Sequence, residues 1–257
     1  MAKHVLELSD GDIAARRAAA LEEFDALLAS DRWETAKGAE GIESRLLDRG
    51  DGQALVCFAR SSLPCKPADL FKYLVTDLPT TCAEWNDVMY HASVLKRYEQ
   101  ANVGTIISDA KPVYDREDVF LQIFAERGKA VYELSRGVGA DQVPMNASGA
   151  ARRSIVRSHM PFASKEFRET ADGCVYTTLW QYDVAGWLSA LLGRRKMGEI
   201  VLQNLVHEHE KLQNIFGGRA DAPEDSTRQA IVRGLAALVV MVGLVAVGLA
   251  AGKYLQM

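Results

Sequence analysis

Residues 234–252 read GLAALVVMVGLVAVGLAAG, nineteen in a row without a charge or a strong hydrogen-bonding side chain. A soluble helix of that length keeps a polar face, because one side must meet water. As an α-helix the run spans about 28 Å, close to the hydrocarbon thickness of a bilayer, roughly 30 Å. Lipid supplies no partner for a free backbone amide, so a single crossing segment has to be helical. Arg228 and Arg233 flank one side, and Lys253 and Tyr254 flank the other, where their polar ends reach the interface. The expectation is one transmembrane helix over residues 231–253.

Five residues follow the apolar run. A ribosome still covers such a segment when translation stops, so insertion is expected to be post-translational, as in tail-anchored proteins. The arginine pair agrees with a cytosolic position for residues 1–230. The expected location is a membrane crossed once, with the main domain facing the cytosol, at the endoplasmic reticulum or another organelle's outer membrane. Gly248 and Gly252 share a GxxxG spacing with Gly243 nearby, a weak signal for a homodimer through the anchor.

The rest of the chain divides into an N-terminal helix within residues 1–30, a domain over 31–216, and a polar Gly- and Pro-containing linker over 217–230. A net charge of −4 and the lack of any basic run with interleaved aromatics exclude broad nucleic-acid binding. Cys57, Cys65, Cys82 and Cys174 form no CxxC pair, so neither a zinc site nor a disulfide framework is expected. The N-terminus carries no apolar core of signal-peptide length, and the triplet Asn146-Ala147-Ser148 is therefore expected to be unglycosylated.

Ser9 or Asp10 caps a helix reaching Ser30, with Ile13, Leu21, Phe24, Leu27 and Leu28 along one side. Strand patterns follow at Glu43–Leu47 and Ala54–Arg60, and Pro67 opens a helix over Asp69–Val75. Further β-rich stretches cover Gly104–Val113, Val119–Ala125, Ala130–Arg136, Ser154–Met160 and Val175–Asp183, with a loop over Gly137–Arg153. Arg194–Phe216 reads as a long helix ended by Gly217-Gly218. Strands bracketed by helices give an α+β domain with a mainly antiparallel sheet.

Four segments in order carry a family resemblance: Ala68-Asp-Leu-Phe-Lys-Tyr-Leu74 with Cys82-Ala-Glu-Trp-Asn-Asp87, then Lys111-Pro-Val-Tyr-Asp-Arg-Glu-Asp-Val119, Ile155-Val-Arg-Ser158, and Tyr182-Asp-Val-Ala-Gly-Trp-Leu188. From Trp33 to Phe216 the chain resembles the StAR-related lipid-transfer (START) domain family. The resemblance implies a helix-grip fold, a curved antiparallel sheet around a long C-terminal helix that encloses one lipid of the sterol, phospholipid or ceramide class. Three positions depart from the family pattern. Ser189 stands where proline is common, and Glu117 replaces an aspartate. Gln122 aligns with the arginine of sterol-binding members. The arginine used against phosphate by phosphatidylcholine-binding relatives has no match near Thr80–Glu84.

Strand alternation puts Phe120, Gln122 and Phe124 on one face. A buried Gln122 needs a partner, either a ligand hydroxyl or a neighbour such as Asp109. Arg157 requires a carboxylate, for example Glu133, or a phosphate. His159 shares its face, and Trp180 alternates with Tyr176, Thr178 and Tyr182 as a wall of the cavity or as ordinary core. Met197, Val201, Leu205, Leu212 and Phe216 form a helical stripe that closes a tunnel or packs on the sheet. His207 and His209 lie about 200° apart on the helix, so they do not converge on a metal and read as solvated surface.

No GxSxG, HExxH, P-loop or GxGxxG pattern is present, and a Cys174–His159 dyad has nothing to set its geometry. The expected function is a non-enzymatic, membrane-tethered lipid carrier without a cofactor or metal. Its partners are the lipid and the membrane. A lipid-sensing scaffold is the rival reading, and an enzyme acting on a lipid thioester or polyketide-like substrate is a third.

Overall fold

The computed structural model describes residues 5–109, 114–152, 154–183 and 187–218; for residues 187–191 it describes the backbone alone. The expected transmembrane helix at residues 231–253 lies outside them. Among the described residues no helix is long and apolar enough to cross a membrane.

Helix α1 (Asp10–Leu28) precedes strands β1 (Glu34–Thr35), β2 (Ile42–Leu47) and β3 (Val56–Leu63). Helix α2 (Pro67–Phe71), a π-helical turn (Lys72–Thr76) and α3 (Leu78–Trp85) follow, then β4 (Met89–Arg97), β5 (Ala101–Ser108), β6 (Asp115–Arg127) and β7 (Ala130–Gly137). Strands β8 (Ile155–Arg157), β9 (His159–Thr170) and β10 (Gly173–Asp183) lead to α4 (Trp187–Gly217). Along the sheet the order is β1-β2-β3-β10-β9-β7-β6-β5-β4, and the short β8 pairs in parallel with the start of β6. Every other pairing is antiparallel. This is a curved antiparallel sheet with a long C-terminal helix, the helix-grip arrangement.

The two faces of the sheet are both apolar, and different helices cover them. Ile13, Ala20, Phe24 and Leu27 of α1 pack against Leu121, Ile123, Tyr132 and Phe162 on the outer face. Ser9 caps this helix in a reciprocal capping box, its Oγ accepting from the Asp12 amide while the Asp12 carboxylate accepts from the Ser9 amide. On the inner face, Leu70, Leu74, Leu78 and Trp85 of the α2–α3 region meet Phe120, Phe167 and Tyr176. Val201, Leu202 and Leu205 of α4 meet Ile42, Leu46, Leu55, Cys57 and Ala59. Gly198 lets α4 come this close: a Cβ there would sit 2.9 Å from Leu55 Cδ1, and its carbonyl accepts from Cys57 Sγ at 3.4 Å.

Two strands escape the sequence pattern. The edge strand β4 is mostly half-buried and shows little apolar alternation. Strand β9 carries Lys165 on its inner face, which interrupts the period-two signal. The helix expected at Asp69–Val75 is α2 running into a π turn, and a further helix not expected from the sequence, α3, starts afresh at Pro79. At the C-terminal helix, Gly193 adopts φ 74° and ψ 162°, so a break separates its first turn from the body beginning at Arg194, the start expected from sequence.

Candidate functional site

Strand register assembles two adjacent polar rows on the inner face. The first runs Asn102–Gln122–Ser135–Ala163–Trp180–Cys57 across β5, β6, β7, β9, β10 and β3. The second runs Phe124–Glu133–Lys165–Thr178–Ala59 across β6, β7, β9, β10 and β3. Apolar side chains bound them: the Trp85–Phe120–Phe167 cluster on one side and the α4 seam on β2 and β3 on the other.

Within the rows Lys165 Nζ lies 2.5 Å from Glu133 Oε2, and Ser135 Oγ donates to Glu133 Oε1 at 2.5 Å. Lys165 and Glu133 are both buried, so each depends on the other for its charge. From α4 comes Glu208, only 1 % exposed, whose Oε1 accepts from Tyr176 Oη at 3.0 Å. Burial pushes the Glu208 carboxyl up to about 7, opposed by the Lys165 charge and the Tyr176 bond. Its other oxygen, Oε2, has no hydrogen-bond partner among the described residues. The next residue, His209, is 0 % exposed and touches Ser61 Oγ through Nδ1 at 2.8 Å and Thr178 Oγ1 through Nε2 at 3.0 Å. Burial holds it down to about 3, so it is neutral. Both ring nitrogens are occupied, which pins α4 to β3 and β10.

Other polar groups also face this interior. Gln122 and Asn102, 3 % and 9 % exposed, bring two buried amides to this face. Trp180 Nε1 and Asp118 Oδ1 are sequestered from solvent without a bond. The Asp118 carboxyl is pushed up to about 6 by burial, although the Tyr182 hydroxyl donates to its Oδ2 at 3.1 Å. Buried polar atoms are normally paired, and several unpaired ones facing one interior are a local cost that a ligand could relieve.

The sequence-predicted residues divide into three groups. Phe120, Gln122 and Phe124 lie on the inner face with Trp180, and the Phe124 ring meets Phe71 edge-on at 5.7 Å. Asn102, not Asp109, stands opposite Gln122. Val201 and Leu205 lie in the α4 seam on β2 and β3, and Met197, one turn earlier, is also buried. Arg157 and His159 are elsewhere. The Arg157 guanidinium binds Glu117 Oε2 at 3.0 Å and the carbonyls of Val138, Val143 and Pro144, tying down the loop after β7. Its carboxylate partner is thus Glu117, while Glu133 pairs with Lys165. His159 is exposed.

His209 corrects the expectation of a solvated histidine pair. The angular separation holds, but one ring faces the sheet and the other faces Asp87 beside α3, with His207 Nε2 3.3 Å from its Oδ2. Sequence reasoning also passed over Lys165 and Glu208, and offered Glu133 to Arg157 instead of Lys165. The signal available was a charge on the inward register of an otherwise apolar strand. Cys174 lies near the start of β10, opposite Glu169, and His159 starts β9 opposite Asp183 at the other end of β10, so the two are about 30 Å apart along the strands. Burial raises the Cys174 thiol to about 12, so it is not a nucleophile. Among the described residues no His/Cys/Asp/Glu group could hold a metal.

No protein-family model and no curated protein sequence matches the chain. Solved structures do. Human StAR-related lipid transfer protein 5 superposes with a TM-score of 0.69 at 10% identity, covering 83% of this chain and 100% of that one. Human STARD10 gives 0.61 at 16% identity, covering 83% of each. A STAR-related lipid transfer protein fragment from Xanthomonas axonopodis gives 0.57 at 18% identity, covering 72% of this chain and 99% of its own. At these identities the likeness establishes the START fold.

Proposed function

We propose that this protein is a membrane-tethered, non-enzymatic lipid-binding domain that holds one lipid against the inner face of its sheet and exchanges it with membranes. The observation that carries the reading is the pair of buried, unpartnered polar atoms Trp180 Nε1 and Glu208 Oε2, with the buried amides of Asn102 and Gln122 beside them, set between apolar walls. That combination suits a ligand with a small polar head and a large apolar body. The START fold and the names of its neighbours as lipid transfer proteins support the same reading.

Shielding an acyl chain stabilises the complex by roughly 0.8 kcal/mol per buried methylene, so one chain provides ample drive. The tether is residues 231–253, and the domain faces the cytosol at the endoplasmic reticulum or another organelle's outer membrane. Over the fourteen residues 217–230 a flexible linker has an r.m.s. span of about 20 Å, which confines exchange to the anchoring bilayer and its close neighbours.

Native mass spectrometry of the full-length protein released from micelles is expected to show one lipid per chain, and finding none would overturn the binding reading. Removing residues 231–257 is expected to release the protein from membranes in flotation. Lipid movement between donor and acceptor vesicles at the protein-free rate would refute carriage and favour sensing.

A further inference from the structure

Three consecutive residues fasten the middle of α4, each to a different partner. His207 Nε2 lies 3.3 Å from Oδ2 of Asp87, in the connection between α3 and β4. Glu208 Oε1 accepts from Tyr176 Oη of β10 at 3.0 Å. His209 bridges Ser61 of β3 at 2.8 Å and Thr178 of β10 at 3.0 Å. Apolar contacts flank the triplet, with Leu202 and Leu205 before it and Leu212 after it. Glycines in the left-handed region bound the helix body at both ends, Gly193 at φ 74° and Gly218 at φ 67°. Between them the body is a rod that can swing as one piece, and the triplet supplies polar bonds that keep it on the sheet.

Two of these fastenings weaken together as pH rises. Glu208 is 1 % exposed and its Oε2 has no hydrogen-bond partner among the described residues, so an ionised carboxylate there lacks bonds to replace its water. Lys165 of β9 is already paired with Glu133 of β7, and the Glu133 charge repels a second carboxylate. A carboxyl pushed up by burial favours the closed helix fully below its ordinary 4.5 and loses that effect as pH rises through about 7. His207 acts in the same sense, because its contacts with Asp87 and with Glu210 at 3.5 Å are ion pairs only while the ring is protonated. Lys211 shares Asp87 with it. The other titratable neighbours are silent between about pH 6 and 8. His209 is held neutral by burial, and burial raises the hydroxyls of Tyr176 and Tyr73 and the thiols of Cys57, Cys82 and Cys174.

We propose that His207, Glu208 and His209 form a latch that holds α4 on the sheet in mildly acidic solution and releases it as the solution turns alkaline. Its consequence, faster lipid exchange at alkaline pH, rests on the lipid-binding reading above. Amide hydrogen exchange of the full-length protein in micelles, corrected for the intrinsic rate at each pH, reads the opening of α4 without any ligand. Residues 197–217 are expected to exchange faster than strands β7 and β9, and their opening is expected to rise about tenfold between about pH 6 and 8 through Glu208 alone. Glu208→Gln cannot ionise and keeps an acceptor for Tyr176, so it is expected to remove most of that rise. His207→Gln loses the ion pairs and is expected to open more readily at about pH 6 and to respond less to pH. Exchange of α4 and the sheet at one common rate would mean that the helix opens only when the whole domain unfolds, and would overturn the latch. A parent-like rise in Glu208→Gln would overturn it as well.

Lipid movement is read separately. The full-length protein is reconstituted in donor vesicles of isotope-labelled phosphatidylcholine, ceramide and cholesterol in equal parts, with unlabelled phosphatidylcholine vesicles as acceptors. Labelled lipid reaching the acceptors, counted by mass spectrometry, is expected to rise about tenfold over the same pH interval in the parent and to stay nearly level in Glu208→Gln. Opening of α4 with no lipid moved at either pH leaves the latch standing and overturns the carrier reading. Movement that does not follow the opening of α4 overturns the latch as the control of exchange.

Discussion

Replacing Glu208 by glutamine tests the energetics of the inner face most directly. The carboxyl is 1 % exposed, and its value rises from an ordinary 4.5 to about 7, chiefly through burial. A carboxyl raised on folding holds its proton more tightly in the folded chain. Its contribution to stability is therefore fully present below about pH 4.5 and is lost as pH rises through about 7. At 1.36 kcal/mol for each pKa unit, the gap corresponds to about 3 kcal/mol at pH 8. Glutamine carries no charge to desolvate, and its carbonyl can still accept the Tyr176 hydroxyl. The variant is thus expected to match the parent at pH 4.5 and to exceed it by about 3 kcal/mol at pH 8. For a domain of this size that is a Tm increase of about 6–12 °C. Thermal unfolding of both full-length proteins in the same detergent, followed by near-ultraviolet circular dichroism at the two pH values, reads it out. His209 is common to both proteins, so its own titration drops out of the difference. A variant that is less stable at pH 8, or a difference that does not change with pH, would refute the reasoning.

Three further outcomes follow from the same structure. His209 is held neutral, from 6.5 down to about 3, so the parent should lose up to about 5 kcal/mol as pH falls through that window, and His209→Gln should flatten the acid limb in urea titrations. Arg157→Ala strands Glu117, 0 % exposed, and frees three loop carbonyls; a loss of about 3–5 kcal/mol is expected, with faster amide exchange over residues 138–147, and Arg157→Lys should recover only part of it. Gly198→Leu forces α4 away from Leu55 and should cost about 1–3 kcal/mol in denaturant unfolding, whereas an equally apolar change at exposed Ile215 should be nearly silent.

Local and near-local signals were legible in the chain. Ser9 and Asp12 lie three residues apart and close a capping box without help from the rest of the molecule. The β-rich runs Val119–Ala125 and Ala130–Arg136 are strands, period two put Phe120, Gln122 and Phe124 on one face, and the stripe Met197–Val201–Leu205 is on the buried side of α4. Strand β9 was not legible, because Lys165 looks like a solvent-facing residue until its partner is known. Glu133 stands thirty-two residues away, and the two meet only when β7 and β9 pair. Glu208 and His209 present the same difficulty. Nothing nearby in the chain distinguishes them from exposed helical neighbours; Tyr176, Ser61 and Thr178 reach them across strands β3 and β10.

Periodicity, caps and the uncharged run at residues 234–252 act within a few residues, so the order of residues alone determined α1, the body of α4, most of the strands and the expectation of an anchor. Burial and charge compensation are properties of contacts between distant segments. Which polar residues end up inside, which are paired and which are left without a partner were decided only when the sheet curved and α4 closed over it.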